Sequence, residues 1–165
     1  GVFASFTACS DDDDDNSGQT INVAGSDFTV YGIDSYYSQA MEQFVIGFML
    51  HKEMIVNNDI YFESEDFDLN SLAKGKVYQV NDFMGDFMGT DKNPANSFTA
   101  YINDLHDNTA PVYGKEGTLT VLEYDADSRS LTVEFNVTFG DLDDTYEKQM
   151  TGTVSFNYYI EDILE

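Results

Sequence analysis

Apolar and polar residues alternate along two stretches near the end of the chain. Over 131–139 all five odd-numbered positions are apolar and all four even-numbered positions are polar. Over 150–160 the apolar positions are Met150, Val154, Phe156, Tyr158 and Ile160. A period of two residues is typical of a strand with one buried and one solvated face. A one-residue slip would turn each apolar set outward, so we expect a well-specified pairing register.

A third strand is predicted over 117–124, and its apolar phase shifts between Val121 and Leu122. Such a shift inside one strand indicates a β-bulge. Residues 125–129 then connect this strand to the strand at 131–139. Their Asp and Ser side chains can bond nearby backbone amides, which favours a short hairpin turn.

Five earlier segments are short, aromatic or β-branched, and bounded by Gly, Asn or Asp: 28–33, 44–50, 60–63, 77–80 and 98–102. Eight or nine strands at this spacing predict an all-β fold, an antiparallel β-sandwich or β-barrel with little helix. Residues 66–74 could form a helical turn or two ended by Gly75 in a left-handed conformation. Residues 41–50 have helix-compatible spacing, but their aromatic and β-branched content favours a strand.

Charge excludes several classes of partner. The 165 residues contain 31 Asp and Glu but only 7 Lys and Arg, for a formal net charge of −24. Nucleic-acid binding requires a basic surface, so we expect no nucleic-acid partner. Charge-driven adhesion to anionic lipid requires clustered Lys and Arg, which the chain also lacks.

The beginning of the chain changes character abruptly at one cysteine. Residues 1–8 are apolar or small, and they resemble the end of a signal-peptide apolar region. Cys9 is the only cysteine and therefore cannot form an internal disulfide. The acidic stretch that follows it comprises Ser10, Asp11, Asp12, Asp13, Asp14 and Asp15. These adjacent carboxylates repel one another and favour an extended, solvated segment.

The residues around Cys9 resemble a bacterial lipobox, although Phe6 stands where an aliphatic residue is usual. The Ser-Asp stretch is similar to the surface-export signal of Bacteroidota lipoproteins. This resemblance implies a signal-peptide remnant at 1–8, a lipidated acidic linker at 9–19 with the lipid on Cys9, and a single all-β domain at 20–165. It also implies that a lipid anchor in the outer membrane holds the domain at the cell surface. A plain acidic linker with an incidental thiol is the alternative.

The last third of the chain carries a second resemblance. A Gly-led strand ending in Tyr-Asp is predicted at 117–125, and a hairpin joins it to a strand of alternating Phe and Thr at 131–139. A second Gly-led strand follows at 152–159. This order is similar to a pattern in all-β surface lipoproteins of Bacteroidota. The resemblance implies an all-β domain and no particular activity.

Metal-binding patterns are poorly matched. A calcium loop begun at Asp12 places Ser17 and Val23 where Gly and Glu are needed. The acidic turns at 125–127 and 141–144 flank a nine-residue strand, about 30 Å apart at roughly 3.3 Å per residue, too far to share an ion. Zinc needs three or four nitrogen or sulfur ligands, whereas the histidines are His51 and His106. We predict no metal and no cofactor.

Catalytic motifs are also lacking. The chain contains no Gly-x-Ser-x-Gly motif, and neither histidine carries a local catalytic signature. A glycoside hydrolase needs only two carboxylates at a set separation, and 31 acidic residues do not single out a pair. We therefore predict no catalytic residue and no enzymatic activity, with a carboxylate-dependent glycoside hydrolase as the alternative.

Tyrosines are the candidate ligand-binding residues. Aromatic faces supply apolar contact to sugar rings, and Tyr adds a hydrogen-bonding group. Tyr36 and Tyr37 follow a predicted strand end, and Tyr159 falls on the polar face of its strand, opposite to Tyr158. Ordinary packing or simple exposure of these tyrosines is the alternative.

A repeated Asp-Phe-Met-Gly at 82–89 lies in the longest gap between predicted strands. Its Phe-Met pairs either tuck under the sheet or form an exposed apolar patch that marks binding. Tucking is the interpretation that we favour.

The sequence thus predicts a non-catalytic, lipid-anchored surface domain that binds or presents an extracellular ligand such as a glycan or protein. A surface polysaccharide hydrolase and a purely structural surface subunit are the alternatives.

Overall fold

The computed structural model describes residues 19–52, 56–82, 97–103, 112–141 and 147–161. These residues form ten strands in chain order: β1 Thr20–Val23, β2 Ser26–Ser38, β3 Gln43–Lys52, β4 Val56–Ser64, β5 Val77–Val80, β6 Ser97–Asn103, β7 Val112–Asp125, β8 Ser130–Gly140, β9 Glu147–Asn157 and β10 Tyr159–Glu161.

The strands form one sheet in the order β1-β9-β8-β7-β5-β6-β4-β3-β2-β10, and a further pairing of β1 with β2 closes it. The result is a nine-strand barrel with β10 as an extra strand, which confirms the predicted all-β class. Two pairings are parallel, β5 with β6 and β10 with β2. The first is permitted by the long connection between β5 and β6, since parallel neighbours need a dozen or more linking residues.

The second parallel pairing follows from barrel closure. Strand β1 is antiparallel to both β2 and β9, so β9 runs parallel to β2. The chain continues from β9 into β10, which pairs with β2 beyond the end of β1. Gln19 strengthens the closure, because its side-chain amide takes the place of a peptide group. Its Nε2 donates to the Ser155 carbonyl at 3.1 Å, and its Oε1 accepts from the Ser155 backbone N–H at 2.7 Å.

The barrel interior is built from the alternating apolar positions. The five odd-numbered residues of β8 from Leu131 to Phe139 are 0–2% exposed, which confirms the predicted inward face. Phe48, Phe62 and Phe135 meet at the centre, with ring centroids 5.4–6.2 Å apart. Aromatic contacts at these separations fill the interior with side chains.

The predicted bulge and hairpin are confirmed. The β7–β8 register shifts between Val121 and Glu123, at the phase change seen in the sequence. In the hairpin, Asp125 Oδ1 accepts hydrogen bonds from the backbone N–H groups of Asp127 at 2.9 Å and Ser128 at 3.4 Å. The strand favoured over a helix at 41–50 is also present, as β3.

The segment between β4 and β5 contains one short 3-10 turn at Leu69–Ser71. This single turn is the shorter of the one or two helical turns predicted over 66–74. Gly75 has φ +90°, the left-handed conformation predicted for it. The segment closes one end of the barrel, because Phe67 and Leu72 both join the core. Phe67 is held there by its backbone N–H, which donates to the Glu42 carbonyl at 2.8 Å.

Several expectations concern residues outside the described ranges. They are the leader and acidic linker at 1–18 with Cys9, the Phe-Met repeat at 83–89, His106, and Asp143 with Asp144. The predicted division of the chain at residue 20 therefore stays a prediction.

Candidate functional site

Four tyrosines lie on the outer side of neighbouring strands in the order β6-β4-β3-β2-β10. They are Tyr101 on β6, Tyr61 on β4, Tyr36 on β2 and Tyr159 on β10. Strand alternation directs them outward, because a chain neighbour of each is buried. These neighbours are Ile102, Ile60, Ser35 and Tyr158. We call these four residues the tyrosine face.

The rings of the tyrosine face form two stacked pairs across strands. Tyr36 and Tyr159 are directly opposite in the β2–β10 register, and their ring centroids are 5.6 Å apart at 29°. Tyr61 and Tyr101 are opposite in the β4–β6 register, with centroids 5.2 Å apart at 25°. Directly opposed aromatic residues stabilise a sheet, so each pair holds its own rings in position.

Between the two tyrosine pairs, the outer surface of β3 carries a glycine and a covered valine, Gly47 and Val45. Gly47 lies opposite both Tyr61 and Asp34, and the Tyr61 ring leans over it. Val45 also points outward, yet it is only 5% exposed, between Tyr36 and Glu63 in the register. The tyrosine face is therefore a continuous surface.

Glu63 is positioned at the centre of this surface by hydrogen bonds to both of its carboxylate oxygens. The Tyr101 hydroxyl donates to Oε2 at 3.0 Å, and Gln43 Nε2 donates to Oε1 at 3.5 Å. Because the carboxylate accepts from the phenol, it fixes the direction of the Tyr101 side chain.

The pKa values of the face tyrosines are all raised above the ordinary value. Burial raises the pKa of Tyr101 most, and the Glu63 carboxylate adds to it. Burial likewise raises the pKa of Tyr36, followed by the charges of Glu161 and Asp34. The phenols therefore stay neutral at physiological pH and can donate and accept hydrogen bonds.

The structure brings together two of the three predicted tyrosines and separates the third. Tyr159 is 50% exposed and stacks on Tyr36, while its neighbour Tyr158 is 5% exposed, as alternation predicts. Tyr37 turns to the other side of β2. Its ring centroid lies 6.5 Å from those of Phe44 and Phe67, and its hydroxyl donates to the Phe67 carbonyl at 3.4 Å. Tyr37 therefore packs against the core rather than on the tyrosine face.

Sequence reasoning missed Tyr61 and Tyr101, although both fall inside predicted strands. The signal in the sequence was their position one residue away from inward-facing Ile60 and Ile102. That signal gives only their outward direction. Their pairing depends on β4 and β6 being neighbours, which is a property of the strand order.

A pocket of about 500 Å³ lies at the barrel end that carries the β7–β8 hairpin. We call it the end pocket. It is lined by Ile33, Glu123, Tyr124, Asp125, Ser130, Leu131, Thr132, Ser155, Phe156 and Asn157. Most of these residues are polar, and Ile33, Leu131 and Phe156 supply the apolar part of the lining.

The lining of the end pocket includes two carboxylates, those of Glu123 and Asp125, and a glycoside hydrolase also uses two carboxylates. Glu123 Oε2 lies 3.2 Å from Lys74 Nζ in an ion pair whose side chains are 65% and 69% exposed. Asp125 is exposed and accepts from two turn amides. A glycosidase acid requires an apolar enclosure that keeps its proton. Neither carboxylate has such an enclosure.

Within the part of the chain that the structure describes, no three or more His, Cys, Asp or Glu side chains are grouped so that they could hold a metal ion. The same part contains no helix of sufficient length and apolarity to cross a membrane. Comparisons with protein-family models, curated proteins and solved structures found no match to this chain.

Proposed function

We propose that this chain is a lipid-anchored domain of the bacterial outer surface that binds an uncharged glycan through its tyrosine face without cleaving it. The observation that carries the binding proposal is the pairing of Tyr36 with Tyr159 and of Tyr61 with Tyr101 on one outer surface. The lipobox-like Cys9 and the acidic residues after it support the location.

A sugar ring has one apolar side and a rim of hydroxyls, and the tyrosine face offers matching chemistry. The ring of Tyr159 is half exposed and supplies apolar contact. The neutral phenol groups and the nearby carboxylates can form hydrogen bonds with the hydroxyls of the sugar. Stacking across strands fixes the rings before a ligand arrives, which lowers the entropy cost of binding.

The negative charge around the tyrosine face favours uncharged glycans over anionic ones. The charges of Asp34 and Glu161 both act on Tyr159, and Glu63 lies beside Tyr101. The whole chain carries a formal net charge of −24. A sulfated or uronate-rich glycan would be repelled by this surface, so an uncharged glycan is the fitting ligand.

The hydrogen bonds, ion pair and exposure of the two carboxylates in the end pocket favour binding without hydrolysis over the glycosidase alternative. Asp125 is engaged as a turn acceptor and Glu123 as an ion-pair partner, and both are exposed to solvent. A structural surface subunit is the remaining alternative, and it would bind no glycan at all.

The test is a panel of uncharged, sulfated and uronate-containing oligosaccharides with wild type and two matched variants. Tyr159→Ala and Tyr31→Ala remove rings of nearly equal exposure, 50% and 48%, but only Tyr159 belongs to a stacked pair of the tyrosine face. We expect wild type to bind an uncharged oligosaccharide, and Tyr159→Ala to weaken it by about tenfold or more, as expected for a stacking contact worth roughly 1.4 kcal/mol. Tyr31→Ala should bind normally.

Absence of any glycan binding by wild type would overturn the glycan proposal and favour the structural subunit. Release of reducing sugar from the same panel would instead favour the hydrolase. Equal losses in Tyr159→Ala and Tyr31→Ala would show that binding does not use the tyrosine face.

The location has its own test, which is mass spectrometry of the native protein. We expect a mature chain that begins at Cys9 with acyl groups on the cysteine, because multiple chains on one residue anchor stably. Cys9→Ser should release the protein from the membrane fraction. An unmodified Cys9 in a membrane-free protein would overturn the anchor and leave the glycan site to be judged separately.

A further inference from the structure

The end pocket and the tyrosine face belong to one extended site: we infer that an uncharged oligosaccharide lies along Tyr36 and Tyr159 and inserts its terminal sugar into the end pocket. This inference rests on the proposed glycan function and assigns the end pocket as its second part. Three observations carry it: a shared strand, a shared packing unit and the chemistry of the pocket walls.

The shared strand is the continuous stretch formed by β9 and β10, which are separated only by Tyr158. Ser155 and Asn157 line the end pocket, and Tyr159 follows on the same exposed side of the chain. Alternation between them is regular, since Phe156 and Tyr158 are buried. Two residues of extended chain span about 7 Å, so the pocket rim at Asn157 and the Tyr159 ring are spaced for adjacent parts of one ligand.

The shared packing unit centres on Tyr158, which lies between the two parts of the site. Its hydroxyl lies 3.3 Å from that of Tyr124, which lines the end pocket. Its ring packs on Phe44 with centroids 5.2 Å apart. Because Tyr158 is buried in the core and contacts a residue of the pocket lining, the pocket wall and the adjoining Tyr159 backbone are held in a fixed relative position.

The walls of the end pocket have the two-sided character that a sugar requires. Ile33, Leu131 and Phe156 give apolar contact, and the other lining residues supply hydroxyl, amide and carboxylate groups. The rim is prearranged, since Thr132 Oγ1 and Ser155 Oγ lie 2.8 Å apart. Asn157 Nδ2 donates to the Ser128 carbonyl at 2.9 Å, which leaves its side-chain oxygen directed elsewhere as an acceptor.

Charge at the pocket agrees with an uncharged ligand. Glu123 and Asp125 can accept hydrogen bonds from sugar hydroxyls, and Lys74 partly offsets Glu123 at 3.2 Å. An anionic terminal group would meet these carboxylates at close range. The same selectivity therefore applies along the whole surface from the tyrosine face to the end pocket.

The experiment measures affinity against chain length with the maltose, cellobiose and laminaribiose series, each from two to six glucose units. The pocket-filling variant is Ser155→Phe. Its matched control is Thr153→Phe, an exposed outward position two residues earlier on β9 that does not line the end pocket. Asn157→Ala is a second, smaller pocket variant in case Ser155→Phe disturbs the β9 pairing, and thermal melts verify folding of each.

For a series that binds, wild type should hold the hexasaccharide at least about tenfold more tightly than the disaccharide, a gain of roughly 1.4 kcal/mol. Ser155→Phe should abolish most of this gain. Thr153→Phe should keep the gain, and Tyr159→Ala should weaken binding at every length.

The inference is overturned if affinity does not grow with chain length, or if Ser155→Phe and Thr153→Phe behave alike while Asn157→Ala has no effect. In either case disaccharide binding that is lost in Tyr159→Ala would leave the proposed function standing. If neither these series nor any uncharged oligosaccharide of the wider panel binds to wild type, the proposed function and this inference fail together.

Discussion

The Tyr61 ring lies over the backbone of Gly47 on the outer surface of the barrel. A Cβ atom added at Gly47 would lie 3.0 Å from Tyr61 Cε1, 3.1 Å from Cδ1 and 3.3 Å from the Asp34 carbonyl oxygen. The glycine therefore provides the space that the Tyr61 ring occupies against β3. An aromatic residue beside a strand glycine also restores the packing that the glycine lacks.

Gly47→Ala should displace the Tyr61 ring and with it the stack on Tyr101. We expect a loss of about 1–3 kcal/mol in the free energy of unfolding, because the added methyl overpacks a closed contact. Glycan affinity should fall as well. Denaturant unfolding and titration with the oligosaccharide panel measure the two effects.

Gly32→Ala is the matched control, since its nearest contact is the flexible Cε of Met49 at 3.2 Å. It should cost less than Gly47→Ala in stability and leave glycan affinity unchanged. An equal effect of the two substitutions would contradict the role assigned to Gly47.

Gly117→Ala should be among the most destabilising glycine substitutions in the described strands. Gly117 has φ +146°, and a Cβ there would meet the backbone of the neighbouring strand, 2.7 Å from Val137 Cα. Backbone cannot move aside as a flexible side chain can, so we expect a cost of about 3 kcal/mol or more in the free energy of unfolding.

Gly75→Ala isolates the conformational part of that cost. Gly75 has φ +90° but nothing within 4 Å of its added Cβ, so only backbone strain of about 1–2 kcal/mol is expected. Denaturant melts compare the two variants. A smaller loss for Gly117→Ala than for Gly75→Ala would show that β7 and β8 can separate without penalty.

Stability should fall in alkaline solution because folding raises the pKa of several half-buried tyrosines. Burial raises the pKa of Tyr36, Tyr61 and Tyr101 above the unfolded value near 10. A raised folded-state pKa contributes stability that is fully present below about pH 10 and is lost as the pH rises toward the folded pKa. Melting temperature from pH 8 to 11 should therefore be flat at first and then decline.

Glu63→Gln is the informative variant for this pH dependence. It removes the carboxylate whose charge and hydrogen bond both raise the pKa of Tyr101. The alkaline decline should become shallower, since Tyr101 then ionises more readily in the folded state. A decline that begins well below pH 10, or is steeper in Glu63→Gln, would contradict the assignment to these phenols.

Moderate salt should raise the melting temperature of the full chain. The formal net charge of −24 implies self-repulsion in the compact state. Raising the ionic strength from about 0.01 M to 0.1 M shortens the Debye length from about 30 Å to about 10 Å and screens that repulsion. Melts in sodium chloride measure the effect. A melting temperature that is independent of salt would indicate local compensation of the carboxylates.

The inward and outward directions of side chains were predictable from the sequence because they depend on a local period of two. The odd-numbered residues from Leu131 to Phe139 face the core, and Tyr158 and Tyr159 face opposite sides, as alternation along each strand requires. The bulge after Val121 was visible for the same reason, since a change of phase is recorded in adjacent residues. Tyr37 was named with Tyr36 as a possible ligand-binding residue, although the same rule directs the two side chains to opposite sides of β2.

Which outward tyrosines meet was not predictable, because that depends on strand order and on how the sheet closes. Tyr61 and Tyr101 are forty positions apart and become neighbours only because β6 lies beside β4. Tyr36 and Tyr159 are 123 positions apart and become neighbours only because β10 lies beside β2. Local periodicity carries no information about such partners, since pairing is selected by the free energy of the whole closed sheet, whereas side-chain direction is set within a few bonds of each residue.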